Sequence, residues 1–579
     1  MSGFRLAGLL VAVVCLVTFA CVQPPGLPDP ADGADVVFLG GRFYTCDDSN
    51  PEVSAIAARD GWIVYAGDEA GASDFIGATT QVVDVAGATG FPGFTDSHVH
   101  IEGVGKREQL LDLRGTASLG ELLQRLQQRV AETPPGQWII GRGWIETFWE
   151  PARFPTRFDL DAVSPQHPVF LWRIDGHCAI VNTKALQLAG VDASTVAPPG
   201  GEILLKDGVP TGLLLDGAMG LVRRYMPPAT AAEMRAQLTQ GAETYGRRGW
   251  TGIQVAGHSW QQLSLLQELC AAGTVRLRVC DAIYGPGSEA ERLIHNGAIG
   301  VARGSMFAAR TIKISYDGAL GSTGAALLEP YSDRPDTSGL LQHDDASLLR
   351  LLELALRGGI QVQVHAIGDR ANRRILDLFE QAFARVPVAE RRVAEPRWRV
   401  EHAQILHPDD IPRFAQLGVI PSMQPSHAIT DLHFAPARLG RGRLRGAYAW
   451  RALIDSGCQI AGGTDAPVEA GDPLLEFYAA CVRKDPRVGP DPVSGPGWHR
   501  EQRVTRQEAL QMFTTWAAHA AFQEEWRGTI AVGKACDLTL FSRDIMTVPE
   551  ADILGARCVM TVVDGAVIYR EADAKTAAR

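Results

Sequence analysis

At 579 residues the chain exceeds what one simple core accommodates, so it forms a large barrel-type domain with additions or several domains. Its 55 basic and 66 acidic side chains give a net charge of −11 with no basic block, which excludes the cationic face that nucleic-acid binding needs. A hydrophobic fraction of 46% is that of a globular protein, and 61 glycines with 34 prolines predict many short loops.

The first residues stand apart. Met1–Arg5 is short with one positive charge, Leu6–Ala20 is almost unbroken apolar sequence, and a proline-rich polar spacer follows Cys21. This is the layout of an export signal, and Ala20-Cys21 resembles a bacterial lipoprotein cleavage site although Thr18 and Phe19 depart from that pattern. The expectation is a leader over 1–21 and a linker over 22–34, with the protein exported to the periplasm or cell envelope and anchored through a lipid on Cys21. The ten cysteines show no CxxC spacing and no readable disulfide framework.

From Asp35 to Val85 the pattern is strand-like, with a hairpin predicted around Asp60-Gly61. The stretches Gly528–Phe541 and Val559–Tyr569 have the same texture, so residues 35–88 and 526–579 are expected to build one small β-sandwich from both termini. Between them, strands alternate with amphipathic helices, as in parallel α/β architecture. Strand one ends at His100. The others are Thr251–Ala256, Val275–Tyr284, Arg310–Ser315, Ile360–His365, Trp398–His402, Val419–Met423 and Gln459–Asp465. Eight strands close a (β/α)8 TIM barrel, here expected over 89–525. About 150 residues separate strands one and two, several times an ordinary crossover. An inserted subdomain over about 103–230 is therefore expected, overhanging the barrel mouth, with a helix at Ser118–Val130 and strands near Trp138 and Val169.

The strand ends collect chemistry. In His98-Val-His100 the two imidazoles sit two residues apart and point to one side of a strand. Lys313 lies within strand four, His365 and His402 close strands five and six, and Asp465 closes strand eight. The carboxyl ends of barrel strands converge on one mouth, so these six residues meet there. Left unpaired in a core, such groups would cost several kcal/mol each, which makes a metal site the better reading.

The segments Phe91-Pro-Gly-Phe-Thr-Asp-Ser-His-Val-His100, Ile312-Lys-Ile-Ser-Tyr-Asp-Gly-Ala-Leu-Gly-Ser322 and His365-Ala-Ile-Gly-Asp-Arg-Ala371 resemble the amidohydrolase superfamily, in its family 3 branch that includes N-substituted formamide deformylase. So do Glu401-His-Ala-Gln404, Ser422-Met-Gln-Pro-Ser-His427 and Gly463-Thr-Asp-Ala-Pro-Val468, and the resemblance spans roughly 35–570. It implies a metal-dependent hydrolase of carbon–nitrogen bonds other than peptide bonds. One or two divalent ions, zinc by expectation, would be held by His98, His100, His365, His402 and Asp465, with Lys313 as a bridging ligand if carboxylated. Asp465 would also be the general base. His177 resembles a substrate-facing position; His427, which follows strand seven, is expected to donate to the substrate oxygen, weighed against a solvated loop histidine. The run Gly318–Gly324 lacks the lysine and the spacing of a phosphate loop and is read as a tight turn beneath the site. Asp369 and Arg370 are read as a structural pair. Metal-dependent ester or lactone hydrolysis on the same site is the alternative, and a non-catalytic scaffold ranks below it because every expected ligand is present. The expected partner is a small-molecule substrate, with no nucleic acid and membrane association only through the leader; homo-oligomerisation is left open.

Overall fold

The computed structural model describes residues 33–146, 149–173, 178–198, 201–321, 323–486 and 498–572. Eight parallel strands are hydrogen-bonded in chain order: β1 (Phe94–Val99), β2 (Trp250–Val255), β3 (Arg278–Gly285), β4 (Phe307–Ser315), β5 (Gln361–Ala366), β6 (Arg399–His402), β7 (Ile420–Met423) and β8 (Ala461–Gly462). The seam between β8 and β1 is joined just beyond β8, where the Asp465 N–H donates to the His98 carbonyl at 2.7 Å and the His100 N–H to the Ala466 carbonyl at 2.9 Å. Asp96, fully buried, adds to that seam by accepting from the Thr464 N–H and hydroxyl and from the Tyr245 hydroxyl. The expected (β/α)8 barrel is thus observed, with all eight strands where the sequence placed them.

Side chains alternate across each strand. In β5 the valines Val362 and Val364 join the main apolar core, whereas Gln361, Gln363 and His365 share the opposite face. Outer helices complete the layer, among them α1 (Ile101–Gln109) and α2 (Ala231–Arg248). These two approach so closely that a Cβ at Gly105 would lie 1.7 Å from the Gln237 carbonyl oxygen, so only glycine fits there.

Both termini contribute to a β-sandwich. Leu538–Phe541 pairs antiparallel with Thr89–Pro92 inside a six-stranded sheet, and a four-stranded sheet from residues 36–84 packs against it through Phe38, Phe43, Ile56, Leu538, Leu540 and Val562. The chain passes from Thr89–Pro92 through Gly93 directly into β1, where a Cβ on Gly93 would meet the Thr251 hydroxyl at 2.2 Å. One continuous segment therefore links sandwich, barrel and the first two histidines.

Between α1 and α2 lies a six-stranded mixed sheet running from Leu111 to Asp216, with a separate core on each face. The helix Leu119–Glu132 packs here, capped by the Ser118 hydroxyl, which accepts from the Glu121 N–H. No disulfide joins any two of the eight described cysteines. The leader, with Cys21, falls outside the described residues.

Candidate metal centre and cleft

Seven side chains converge at the carboxyl ends of the strands. β1 delivers His98 and, directly after it, His100; β4 delivers Lys313, β5 His365 and β6 His402. Asp465 follows β8, and His427 lies on the short helix Pro425–Thr430 that follows β7. They line a cleft of about 1210 Å³.

The geometry sorts them. His98 Nε2 and His100 Nε2 lie 3.5 and 3.3 Å from Asp465 Oδ1, and the ligand-capable atoms of these three residues fall within 4.8 Å of one another. His402, His427 and Asp465 form a second such group, with His427 Nε2 3.6 Å from Asp465 Oδ2. Lys313 Nζ is 3.4 Å from His98 Nε2. His365 stacks edge-on against His402 at 4.5 Å between ring centroids but belongs to neither group. Its Nε2 instead faces Asp317 Oδ1 at 3.4 Å and the Gly318 carbonyl at 3.5 Å. Asp317 is fixed by the backbone N–H groups of Ala326, Ile367 and Gly368, so it holds that ring edge and leaves Nδ1 as the free nitrogen. The structure thus brings the expected partner of His402, His365, beside its ring, and groups His402 with His427, a residue expected to face substrate.

The far edges of two other imidazoles are likewise held by acceptors. His98 Nδ1 meets Glu401 Oε2, and His402 Nδ1 lies 2.7 Å from Gln424 Oε1. An acceptor at Nδ1 fixes the proton there and turns the Nε2 lone pair towards the cleft, the arrangement of a metal-ligating histidine. Glu401 is itself gripped by Arg399, whose Nε donates to Oε1 at 2.8 Å.

Electrostatics keeps these nitrogens unprotonated. Burial, reinforced by the Lys313 charge, lowers His98 to about 4 and His365 to about 3. Burial and the neighbouring imidazoles hold His402 well below its usual value. Burial also lowers Lys313, against the pull of Glu401 and Asp465. For Asp465 burial works upward, but His100, His98 and His402 outweigh it and hold the carboxylate well below its ordinary range. Backbone strain marks the same spot: His402 and Asp465 have φ of 71° and 55°, a left-handed conformation uncommon outside glycine and concentrated at functional sites.

The profile of the Amidohydrolase family matches residues 81–569. The chain belongs to that family. YtcJ of Bacillus subtilis, which is named an amidohydrolase, is 33% identical over 547 residues, covering 92% of this chain and 99% of its own. The N-substituted formamide deformylase of Arthrobacter pascens is 26% identical over 570 residues, covering 92% and 98%. The crystal structure of an uncharacterized metal-dependent hydrolase from Pyrococcus horikoshii OT3 superposes with a TM-score of 0.73 at 27% identity, over 89% of this chain and 99% of that one. The protein is therefore a hydrolase with a candidate His/Asp metal site, and its substrate is a small molecule.

The supporting residues of this amidohydrolase went unrecognised in the sequence. Glu401 and Gln424 act through side chains that meet His98 and His402 only in the fold, Arg399 grips Glu401, and Asp96 stitches the seam from far away in sequence. His177 lies outside the described residues. Among the described residues, none from the inserted sheet lines the cleft, so its expected overhang has no described contact there. Ala319, Leu320, Gly321 and Thr323, from the glycine-rich run after β4, line the cleft. Asp369 and Arg370 are structural but bind different backbone groups: Asp369 accepts from the Leu328 N–H, and Arg370 donates to the Gly339 carbonyl.

Proposed function

We propose that this amidohydrolase cleaves the carbon–nitrogen bond of a small non-peptide amide, an N-formyl, N-acyl or cyclic amide. The observation that carries the reading is the set of buried or half-buried, unprotonated imidazoles whose far edges are tied to Glu401, Gln424 and Gly318, beside a carboxylate held ionised. That donor set fits a divalent ion: imidazole nitrogens and one carboxylate converge in two groups whose ligand-capable atoms lie within 4.8 Å of one another. His98, His100, His365, His402 and Asp465 would hold it, and zinc suits such ligands. A divalent ion there supplies Lewis acidity to a substrate carbonyl and acidifies a water molecule.

The chain's own residues do the rest. Asp465 takes the proton of the attacking water and returns it to the leaving nitrogen, the task of a positioned carboxylate. His427 Nε2, buried at the cleft wall, donates to the substrate oxygen. Lys313 is the least ordinary member. An ammonium 3.4 Å from a ligand nitrogen opposes a cation, and burial favours the neutral amine, which adds carbon dioxide with loss of a proton to become an anionic carbamate ligand. An unmodified Lys313 in a metal-replete crystal grown with bicarbonate would overturn that step.

Hydrolysis of N-formyl amines, N-acyl amino acids, hydantoins, esters and lactones by the metal-loaded protein tests the reaction class. Turnover of amides supports the reading, and turnover confined to esters or lactones replaces it. The leader is proposed to direct export with lipidation at Cys21, supported by the apolar run ending at Ala20-Cys21. Because one acyl chain gives only marginal membrane binding, a stable anchor needs several. Mass spectrometry of the mature N-terminus decides it, and an unmodified start at any residue sinks it.

A further inference from the structure

One wall of the cleft bears two carboxylates that the hydrolytic step leaves unused, Asp431 and Glu469. Glu469, its side chain 10% exposed, accepts from the Thr430 hydroxyl at 2.6 Å. Asp431 accepts from Gln404 Nε2 at 2.8 Å and from the Tyr448 hydroxyl at 2.7 Å. Burial pushes Asp431 up to about 6, which leaves it ionised at neutral pH. Among the described residues, neither carboxylate has an arginine or lysine within ion-pair distance: His427 Nε2 lies 3.8 Å from Glu469, and Arg107 spends its guanidinium on the backbone carbonyls of Glu469 and Ala470 at 2.8 and 3.0 Å.

The arginines of the cleft do not supply the missing charge. Arg334 is clamped on Asp336 through two bonds of 3.0 Å, and Arg438 is spent on Asp333 and the Gly321 carbonyl. These two arginines are thus engaged locally while Asp431 and Glu469 have no such partner, and a buried charge without a partner is costly. A second feature points the same way. His427 is 8% exposed and its Nε2 has no hydrogen-bond partner, although it faces the cleft between Asp465 and Glu469. An acceptor on a ligand at that point would satisfy it, with Glu469 alongside to receive a donor from the same molecule. Asp465 and Glu469 can be no farther apart than the two distances that join them to His427. A substrate held at both therefore needs only a short linker, and Tyr284 and Phe434 offer apolar surface for it.

We propose that Glu469 and Asp431, with His427 beside them, form a subsite that selects amides bearing a protonated amine a short linker away from the bond that is cleaved. The substrate class is then an N-formyl or N-acyl diamine, which rests on the amide reading above. Charge-assisted hydrogen bonds to a buried carboxylate discriminate strongly against neutral groups of the same size.

The test uses the metal-loaded full chain and three N-formyl amines of equal length, ending in an ammonium, a methyl group or a carboxylate. The expected kcat/KM for the ammonium substrate exceeds that for the methyl substrate by about tenfold or more, with the carboxylate substrate lowest. Glu469→Gln should collapse the ammonium-to-methyl ratio towards one, mainly through KM. A carboxylate substrate preferred over the ammonium one, or a ratio unchanged in Glu469→Gln, overturns the subsite. If none of the three amides is cleaved, the amide reading fails and the subsite is judged separately, by calorimetric binding of the matching free amines. The diamine must then bind about tenfold tighter than its methyl analogue to wild type and lose that margin in Glu469→Gln; equal affinities overturn it.

Discussion

Half-way up the barrel, Arg399, Gln254, Gln361 and Gln363 are as deeply buried as His98, His402, Lys313 and Asp465 at the mouth. The middle layer satisfies itself. Arg399 binds Glu401, the Ser97 carbonyl and the Ser422 hydroxyl, Gln361 binds Thr311 and the Ala520 carbonyl, and Gln363 reaches the Val255 carbonyl. At the mouth the outer edges are satisfied in the same way, but the inner edges present lone pairs and a lysine to one another. Depth of burial is therefore no guide to a ligand site. What separates the layers is whether the polar atoms have spent their hydrogen bonds before a ligand arrives.

The contrast predicts that mouth substitutions cost chemistry while middle-layer substitutions cost stability. Asp465→Asn should lower turnover by about two to four orders of magnitude with its unfolding midpoint nearly unchanged. Asparagine tolerates the left-handed backbone that Asp465 occupies, so the variant should fold. Steady-state kinetics alongside thermal unfolding reads both, and wild-type turnover would remove Asp465 from the mechanism. Arg399→Met should act first on stability, stranding Glu401 and lowering it by about 3–5 kcal/mol in denaturant titrations, with turnover falling as well because Glu401 orients His98. An unshifted midpoint in that variant would break the contrast.

Chelation sharpens the comparison from the ligand's side. Stripping the metal should abolish hydrolysis reversibly and lower stability by about 2.7 kcal/mol for an ion present at a hundred times its Kd. The barrel should remain folded, because its core is formed without the ligand edges. Calorimetry with and without chelator checks this, and full activity after complete metal removal contradicts it.

The smallest effect belongs to a half-exposed pair at the surface. On the insert, Arg153 and then Thr156 hold Asp159 down to about 2 in the folded protein, against an ordinary 3.8. A depressed folded value means that the contribution is complete above about pH 4 and disappears as the pH falls through about 2. Asp159→Asn should flatten that part of the acid-stability curve and cost only about 0.5 kcal/mol at neutral pH. An effect as large as that of Arg399→Met would show that burial is not what sets the difference.

How far the site was legible follows from range. The strands could be found because alternation is local: Gln361-Val-Gln-Val-His365 repeats every two residues, and the expected strand differs from β5 by one residue at each end. Metal candidates were legible because each sits at such a strand end. Glu401 was not, since its partner His98 is 303 positions away and nothing nearby distinguishes an orienting carboxylate from a solvated one. The grouping of His402 with His427 depends on how the helix after β7 turns back over the mouth. No periodicity encodes that turn. Asp431 and Glu469 lie on such connecting segments and left no pattern either.

The seam has a consequence for how the protein comes into being. Asp96 is tied to Thr464 across 368 positions of sequence, and Asp465 docks on the His98 carbonyl beside it. A nascent chain carrying every histidine of the cluster still has no cluster until residue 465 has left the ribosome and β8 has closed the ring. The sandwich strand Leu538–Phe541, which pairs with the segment leading into β1, is made later still. Contacts of this range close slowly. Through most of synthesis the histidines are therefore scattered along an unfinished barrel, and the candidate ion site exists only in the completed chain.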